Sequence, residues 1–243
     1  MYLSITNIYA IIYFNNVGSG APDAPLFNRV RVTRPIFRFF KGVFMIAIID
    51  YGAGNLQSVK KALDYIGVKS EITFDKKKIE SAERVILPGV GSFGDAMNML
   101  RARGLEETVK NAASGERPFL GICLGLQLLF EKSEESPEAT GLGILKGSIK
   151  RIPNNEGLKV PHMGWNSVSI KQKDGIFKGI PDESYFYFVH SYYLSGADTV
   201  AATTSYGVEI ECAVQNGLVA ATQFHPEKSS EAGLMLLRNF AEV

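Results

Sequence analysis

The sequence predicts an α/β fold: an open, mostly parallel sheet with flanking helices and additional antiparallel strands in its second half. Three observations carry that prediction. Between Met45 and Phe130, short apolar runs bounded by glycine or proline alternate with stretches of helical periodicity, the pattern of a parallel sheet with crossover helices. After Gly141-Leu142-Gly143, strand-like runs follow one another more closely. At 243 residues, with 46% hydrophobic and 21% charged residues, the chain suits one domain with a full core.

The elements follow in order. Ile46 to Tyr51 reads as a buried first strand and Gly52-Ala53-Gly54-Asn55 as a turn. Leu56, Val59, Leu63 and Ile66 mark one face of a helix that stops at Gly67. Ser70 to Phe74 and Arg84 to Leu87 are the next strands. Pro88-Gly89-Val90-Gly91 is too glycine-rich for regular structure, and a helix is expected from about Asp95 to Ala113. Pro118-Phe119-Leu120 leads the fourth strand into Gly121-Ile122-Cys123-Leu124-Gly125, with a helix opening at Leu126-Gln127. Later strands are expected over Ser184 to Leu194, Thr199 to Ser205, Ile210 to Gln215 and Leu218 to Phe224. A terminal helix is expected over Glu231 to Phe240.

The first 44 residues do not match the rest. Their one acid is Asp23, against Arg29, Arg31, Arg34, Arg38 and Lys41, and the apolar run Ile8 to Phe14 is too short to span a bilayer. No basic residue precedes that run, which argues against a secretory signal. An organelle transit peptide is an alternative, although the segment is richer in aromatics than in serine. Residues 1–44 are read as a non-native or disordered leader, Met45 as the working start, and 45–243 as the functional domain. A net charge of +1 offers no electrostatic case for nucleic acid or an anionic membrane. Cys123 and Cys212 lack metal-type spacing, and neither a disulfide framework nor a cofactor is implied. A reducing, cytoplasmic setting follows. Cys212, in an ordinary strand pattern, reads as a packed apolar residue.

Cys123 is different. A strand that bends sharply into a helix, with glycines on both sides of the bend, lifts one strained residue above the sheet edge. The sulfur then lies at a helix N-terminus, where the dipole and free N–H groups favour thiolate. A buried core thiol is the plainer alternative. The segment Gln223-Phe224-His225-Pro226-Glu227 shifts the balance, because a cysteine nucleophile needs a base and the base needs an orienting group. On an extended segment His225 and Glu227 would project to the same side. Attack on a carbonyl also needs N–H donors for the oxyanion: Leu124, the residue after the elbow, can supply one and the Pro88 to Gly91 loop a second, although from the sequence alone a plain glycine turn is the more common meaning of such a loop. Neither Gly52-Ala53-Gly54 nor the loop at Pro88 completes a phosphate-binding fingerprint.

These residues resemble the class I glutamine amidotransferases, whose triad is Cys-His-Glu. Ile49-Asp50-Tyr51-Gly52-Ala53-Gly54-Asn55, the stretch Pro88 to Met97, and Pro161-His162-Met163-Gly164-Trp165-Asn166 narrow the resemblance. They point to the glutaminase subunits of imidazole glycerol phosphate synthase, over Met45 to the C-terminus. The resemblance implies a class I amidotransferase fold and hydrolysis of L-glutamine by Cys123, His225 and Glu227, with the Leu124 and Val90 N–H groups holding the oxyanion. It gives Gly91, Gln127, Glu135, His190 and Ser191 to substrate binding, Glu135 facing the α-ammonium. It also implies a heterodimer with a (β/α)8 cyclase subunit, which receives the ammonia through a channel and makes imidazole glycerol phosphate and AICAR for histidine biosynthesis. Asn55, Met163, Trp165 and Lys228 fall at the partner interface by the same resemblance. His162 has no assigned role beyond packing or partner contact. The rivals are a glutaminase subunit for anthranilate or pyridoxal phosphate synthesis, a cysteine hydrolase or peptidase, and a non-catalytic regulatory module.

Overall fold

The computed structural model describes residues 45–154 and 157–243; the expectations for residues 1–44 lie outside them. Strands β1 (Ile46–Ile49), β2 (Ser70–Thr73), β3 (Arg84–Gly89) and β4 (Phe119–Cys123) form the first half of one sheet. Strands β7 (His162–Ile170), β8 (Ser184–His190), β10 (Val200–Ser205), β11 (Glu209–Asn216) and β12 (Val219–Thr222) complete it. The nine-stranded order is β2-β1-β3-β4-β12-β11-β10-β7-β8. From β2 to β12 neighbours run parallel; from β12 outward through β11, β10, β7 and β8 they run antiparallel. The change follows the connections. Crossover helices link the early strands, whereas Gly217 and Leu218 are the whole link between β11 and β12. A second, three-stranded sheet joins β5 (Lys132–Ser133), β6 (Ser148–Arg151) and β9 (Tyr192–Ser195).

Period-two alternation in the central strands divides the core into two layers. Ile46, Ile48, Ile86, Leu120 and Ile122 pack with Val59 and Leu63 of α1 (Leu56–Tyr65) and with Leu236, Leu237 and Phe240 of α6 (Ser230–Glu242). Ala47, Ile49, Val85, Leu87 and Phe119 pack on the other face with Met97 and Leu100 of α3 (Phe93–Ala102) and Val109 of α4 (Glu106–Ala112). Each such aliphatic or aromatic side chain, taken fully from water, contributes about 1.5–3 kcal/mol before entropy is counted. Cys212 is fully buried in β11, and burial pushes its thiol up, as suits a packed residue.

Several boundaries differ from the sequence reading. A short helix α2 (Lys76–Ser81) was not expected; Asp75 caps it by accepting from the Lys77 and Lys78 N–H groups. The helix expected over Asp95 to Ala113 is two helices, because the chain closes α3 with a bond from Leu105 N–H to the Leu100 carbonyl before α4 begins. Strand β3 continues through Pro88 and Gly89, paired with Ile122 and Cys123. The run Ser184 to Leu194 is cut at Ser191: β8 pairs with β7, and β9 turns away to pair with β6 in the other sheet. The Pro161 to Asn166 segment lies largely in β7, a strand the sequence reading did not place.

Candidate active site

Register builds the site. Ile122 of β4 pairs with Thr222 of β12 and Cys123 pairs with Gly89 of β3, so three chain segments leave the carboxyl edge of the sheet side by side. Cys123 itself sits at φ 56° and ψ −110°, outside the conformations a non-glycine residue ordinarily adopts. Both neighbouring glycines are required by close approach. A Cβ on Gly121 would lie 2.8 Å from the Gly125 carbonyl oxygen, and one on Gly125 would lie 1.8 Å from the Leu87 oxygen. The helix behind the elbow is a single turn, α5 (Leu124–Gln127), shorter than the sequence suggests. The carbonyls of Leu128 and Leu129 are taken by the returning N–H groups of Leu142, Ile144 and Leu145, which ends it.

His225 and Glu227 do not lie on a strand. β12 stops at Thr222, and Pro226–Lys228 is a 3-10 turn with His225 at its start. That turn is tied to β8: His225 N–H donates to the Tyr187 carbonyl, Tyr187 N–H to Ser229 Oγ, and Ser229 Oγ–H to the His225 carbonyl. Within it His225 Nδ1 lies 2.8 Å from Glu227 Oε1, both side chains almost wholly buried. An ionised carboxylate only accepts, so Nδ1 carries the proton and Nε2 is left for the sulfur side. Burial works against the imidazolium. The charge of Cys123 and the hydrogen bond and charge of Glu227 outweigh it and raise the His225 pKa to about 10, while Nε2 has no hydrogen-bond partner among the described residues. Glu227 therefore stands behind the imidazole, outside the cleft proper.

A cleft of about 380 Å³ opens over these groups, lined by Cys123, His225, Val90, Leu124, Gly91, Gln127, Glu135, His190 and Ser191 together with Pro161, Val189 and Tyr192. Its size suits a small polar molecule. Leu124 is the first residue of α5, so its N–H has no partner inside the helix. Val90 and Gly91 sit in the link between β3 and the Ser92 cap of α3, and Val90 is exposed. Glu135 is not a solvated surface charge: it is half-buried, and its Oε2 accepts from Phe93 N–H at 2.7 Å, at the start of α3. Gln127 donates from Nε2 to the Tyr192 carbonyl and to Gln223 Oε1. Gln223 in turn reaches Cys123 Sγ through Nε2 at 3.8 Å. The sequence reading passed over Gln223; its signal was a polar residue ending an apolar run two positions before His225.

All three histidines of the chain converge here. His190 Nδ1–H donates to the Tyr192 carbonyl at 2.9 Å, so its Nε2 is the acceptor facing His162 Nδ1 at 3.0 Å. His162 then offers Nε2 to the Asn166 amide at 3.4 Å and stacks between Phe188 and Tyr206. Burial lowers the His190 pKa to about 3, the nearby His162 and His225 adding to it against the Tyr192 carbonyl, and burial lowers His162 to about 4. Both rings are neutral at pH 7. With both His190 nitrogens committed inside the protein, its ring face and backbone are what it offers the cleft.

Met163 and Trp165 are exposed on β7, on the outer side of the sheet end. Trp165 meets Tyr187 edge-on at 6.1 Å, and Lys228 Nζ lies 5.7 Å from the same Tyr187 ring. Asn55 is half-buried ahead of α1, and that helix packs against the turn carrying Lys228. Among the described residues no helix is long and apolar enough to cross a membrane, and no cluster of His, Cys, Asp or Glu is arranged to hold a metal.

Known proteins resemble this chain in sequence and in fold. A model of the class-I glutamine amidotransferase family matches residues 47–243. The imidazole glycerol phosphate synthase subunit HisH of Moorella thermoacetica is 52% identical over 200 residues, covering 82% of this chain and 94% of that protein. The protein of the same name from Methanothermobacter thermautotrophicus is also 52% identical over 200 residues, covering 82% and 98%. The solved structure of PurLQS from Thermotoga maritima aligns with a TM-score of 0.65 at 21% identity, over 82% of this chain and 98% of that one. A structure described as a glutamine amidotransferase aligns at 0.64 and 23%, over 83% and 98%, and both show the shared fold. This chain belongs to the class I glutamine amidotransferase family and, within it, groups with the HisH subunits of imidazole glycerol phosphate synthase.

Proposed function

We propose that this protein is the glutaminase subunit of an imidazole glycerol phosphate synthase, hydrolysing L-glutamine to glutamate and ammonia through Cys123, His225 and Glu227. The single observation that carries the site assignment is the buried His225–Glu227 pair, at 2.8 Å, beside a cysteine strained to φ 56°. In the first half-reaction the Cys123 thiolate attacks the carboxamide carbon. The carbonyl oxygen becomes an oxyanion held by the Leu124 and Val90 N–H groups. His225, charged through its raised pKa, gives its Nε2 proton to the departing nitrogen, and ammonia leaves a glutamyl thioester. The now neutral imidazole takes a proton from water, which attacks the thioester; the returned proton and thiolate restore the starting state. Glu227 keeps Nδ1 protonated throughout. Glu135 meets the substrate's ammonium, and Gly91, Gln127, His190 and Ser191 complete the pocket.

Ammonia in water at pH 7 is mostly ammonium and a poor nucleophile, so its release to solvent would waste the reaction. A (β/α)8 cyclase subunit is the partner that would take it through an interior channel, docking on the face that carries Met163, Trp165, Lys228 and Asn55. Turning one peptide in the Pro88 to Gly91 loop would let that partner complete the oxyanion site. The working unit is residues 45–243, in a cytoplasmic setting. The family match beginning at 47 and β1 beginning at Ile46 support this boundary. A protein starting at Met45 should fold and hydrolyse glutamine as the full chain does.

The test uses the complex with the cyclase. Cys123→Ala should abolish glutamine-dependent synthesis and leave ammonia-dependent synthesis intact. Loss of both, or retention of glutamine hydrolysis, would overturn the assignment.

A further inference from the structure

Tyr51 lies two residues beyond the end of β1, in a place the chemistry above does not use. It is fully buried, in the core layer that also holds Leu87, Phe93 and Leu124. Its hydroxyl meets no hydrogen-bond partner among the described residues, although a buried hydroxyl is costly to leave unpaired. That hydroxyl lies directly over Gly89. A Cβ there would be 2.6 Å from the Tyr51 oxygen, with Leu124 Cβ at 2.8 Å and Gly125 N at 3.0 Å on the same side. Gly89 is the register partner of Cys123 and the residue before Val90, and Tyr51 does not line the cleft.

In a trans peptide the carbonyl and the N–H of the next residue point in opposite directions. When the Gly89–Val90 peptide turns the Val90 N–H toward an oxyanion in the cleft, the Gly89 carbonyl must turn away from it, into the protein. The Tyr51 hydroxyl is the unpaired donor on that side. Resting on the glutaminase reading, we propose that Tyr51 is a positioning residue: its buried O–H donates to the Gly89 carbonyl and holds the Val90 N–H in the orientation that receives the oxyanion. Burial, with the Cys123 charge adding to it, pushes the phenol up, so the group stays a neutral donor across the working range. A donor that acts only in the turned state would leave substrate binding alone and raise the rate of the chemical step.

The experiment is Tyr51→Phe in the full chain, complexed with the cyclase, read as kcat and KM for glutamine, melting temperature and ammonia-dependent synthesis. The expected result is a fall in kcat of about tenfold, less than the loss of a direct oxyanion donor, with KM unchanged. Melting should be no lower, because an unpaired hydroxyl has been removed, and ammonia-dependent synthesis should stand. The pH dependence of Cys123 alkylation separates this role from a direct bond to the sulfur: an unchanged profile supports the proposal and a shifted one overturns it. Unchanged kcat also overturns it, as does a lower melting temperature with kcat and KM changing together. None of these results affects the glutaminase reading, which is tested by Cys123→Ala and fails if that variant still hydrolyses glutamine or also loses ammonia-dependent synthesis.

Discussion

His162 Nδ1 and His190 Nε2 lie 3.0 Å apart, in a chain of hydrogen bonds that runs from the Asn166 amide to the Tyr192 carbonyl and requires both rings to be neutral. Their folded pKa values, about 4 and about 3, lie below the usual 6.5, so the unfolded chain binds protons first as pH falls. The contribution of these two rings should be level at and above pH 7.5, decline as pH drops below 6.5, and keep declining toward 4 and 3. At pH 5 the loss is about 2 kcal/mol from His190 and roughly half that from His162, whose surroundings are less dry. His225 acts in the opposite direction, since its pKa is raised: its stabilisation is complete below 6.5 and is lost progressively as pH rises from there through about 10. Urea midpoints at pH 6.5 and 5, where the His225 contribution is nearly complete, measure the effect, and identical midpoints would count against it.

Glu227→Gln keeps the size of the orienting side chain and removes its charge. The His225 pKa should come down from about 10, and the alkaline limb of the kcat/KM profile should move toward neutral pH. Glutaminase kcat should fall by about 10²-fold or more. A pH profile superimposable on the wild type would reject the orienting role.

Glu135 has two tasks, because the carboxylate that would meet the substrate's ammonium also accepts from Phe93 N–H at the start of α3. Glu135→Ala should raise KM for glutamine by roughly 10- to 100-fold. It should also cost about 1 kcal/mol of stability through the lost cap. Steady-state kinetics paired with denaturation checks both; a KM change without any loss of stability would show that the cap is unimportant.

Gly125→Ala asks whether the elbow tolerates a methyl group. The new Cβ would sit 1.8 Å from the Leu87 carbonyl oxygen, and backbone on both sides must move. Destabilisation of about 3 kcal/mol or more is expected, with loss of activity. A variant that melts with the wild type would mean that β3 and the elbow can separate freely.

Trp165 is exposed yet braced edge-on against Tyr187, a rigid aromatic on an open face. Trp165→Ala should weaken association with the cyclase at least tenfold, as loss of a central aromatic does, while the isolated chain melts within about 0.5 kcal/mol of the wild type. Calorimetric titration of the two subunits would detect it. Unchanged affinity would remove Trp165 from the interface.

Much of this molecule is local information and therefore legible in the chain. The α/β class follows from apolar runs of strand length alternating with a 3.6-residue period. The elbow follows from two glycines that no side chain could replace, one on either side of Ile122-Cys123-Leu124. Helix breaks were less legible, since the end of α3 rests on the Leu105 to Leu100 bond, a closure that periodicity does not encode.

What the tertiary structure decided was which distant residues meet. Sequence spacing of two joined His225 to Glu227, but on the wrong scaffold: the pair sits on a 3-10 turn tied to β8. Gln223 on the sulfur, His162 behind His190, and the Tyr51 hydroxyl over Gly89 all depend on strand order and register, which place β1, β3, β4 and β12 side by side. A side chain's identity states what chemistry it can perform. Its partners are set by the packing of segments a hundred residues apart, and that free energy is shared across the whole core, with no single motif carrying it.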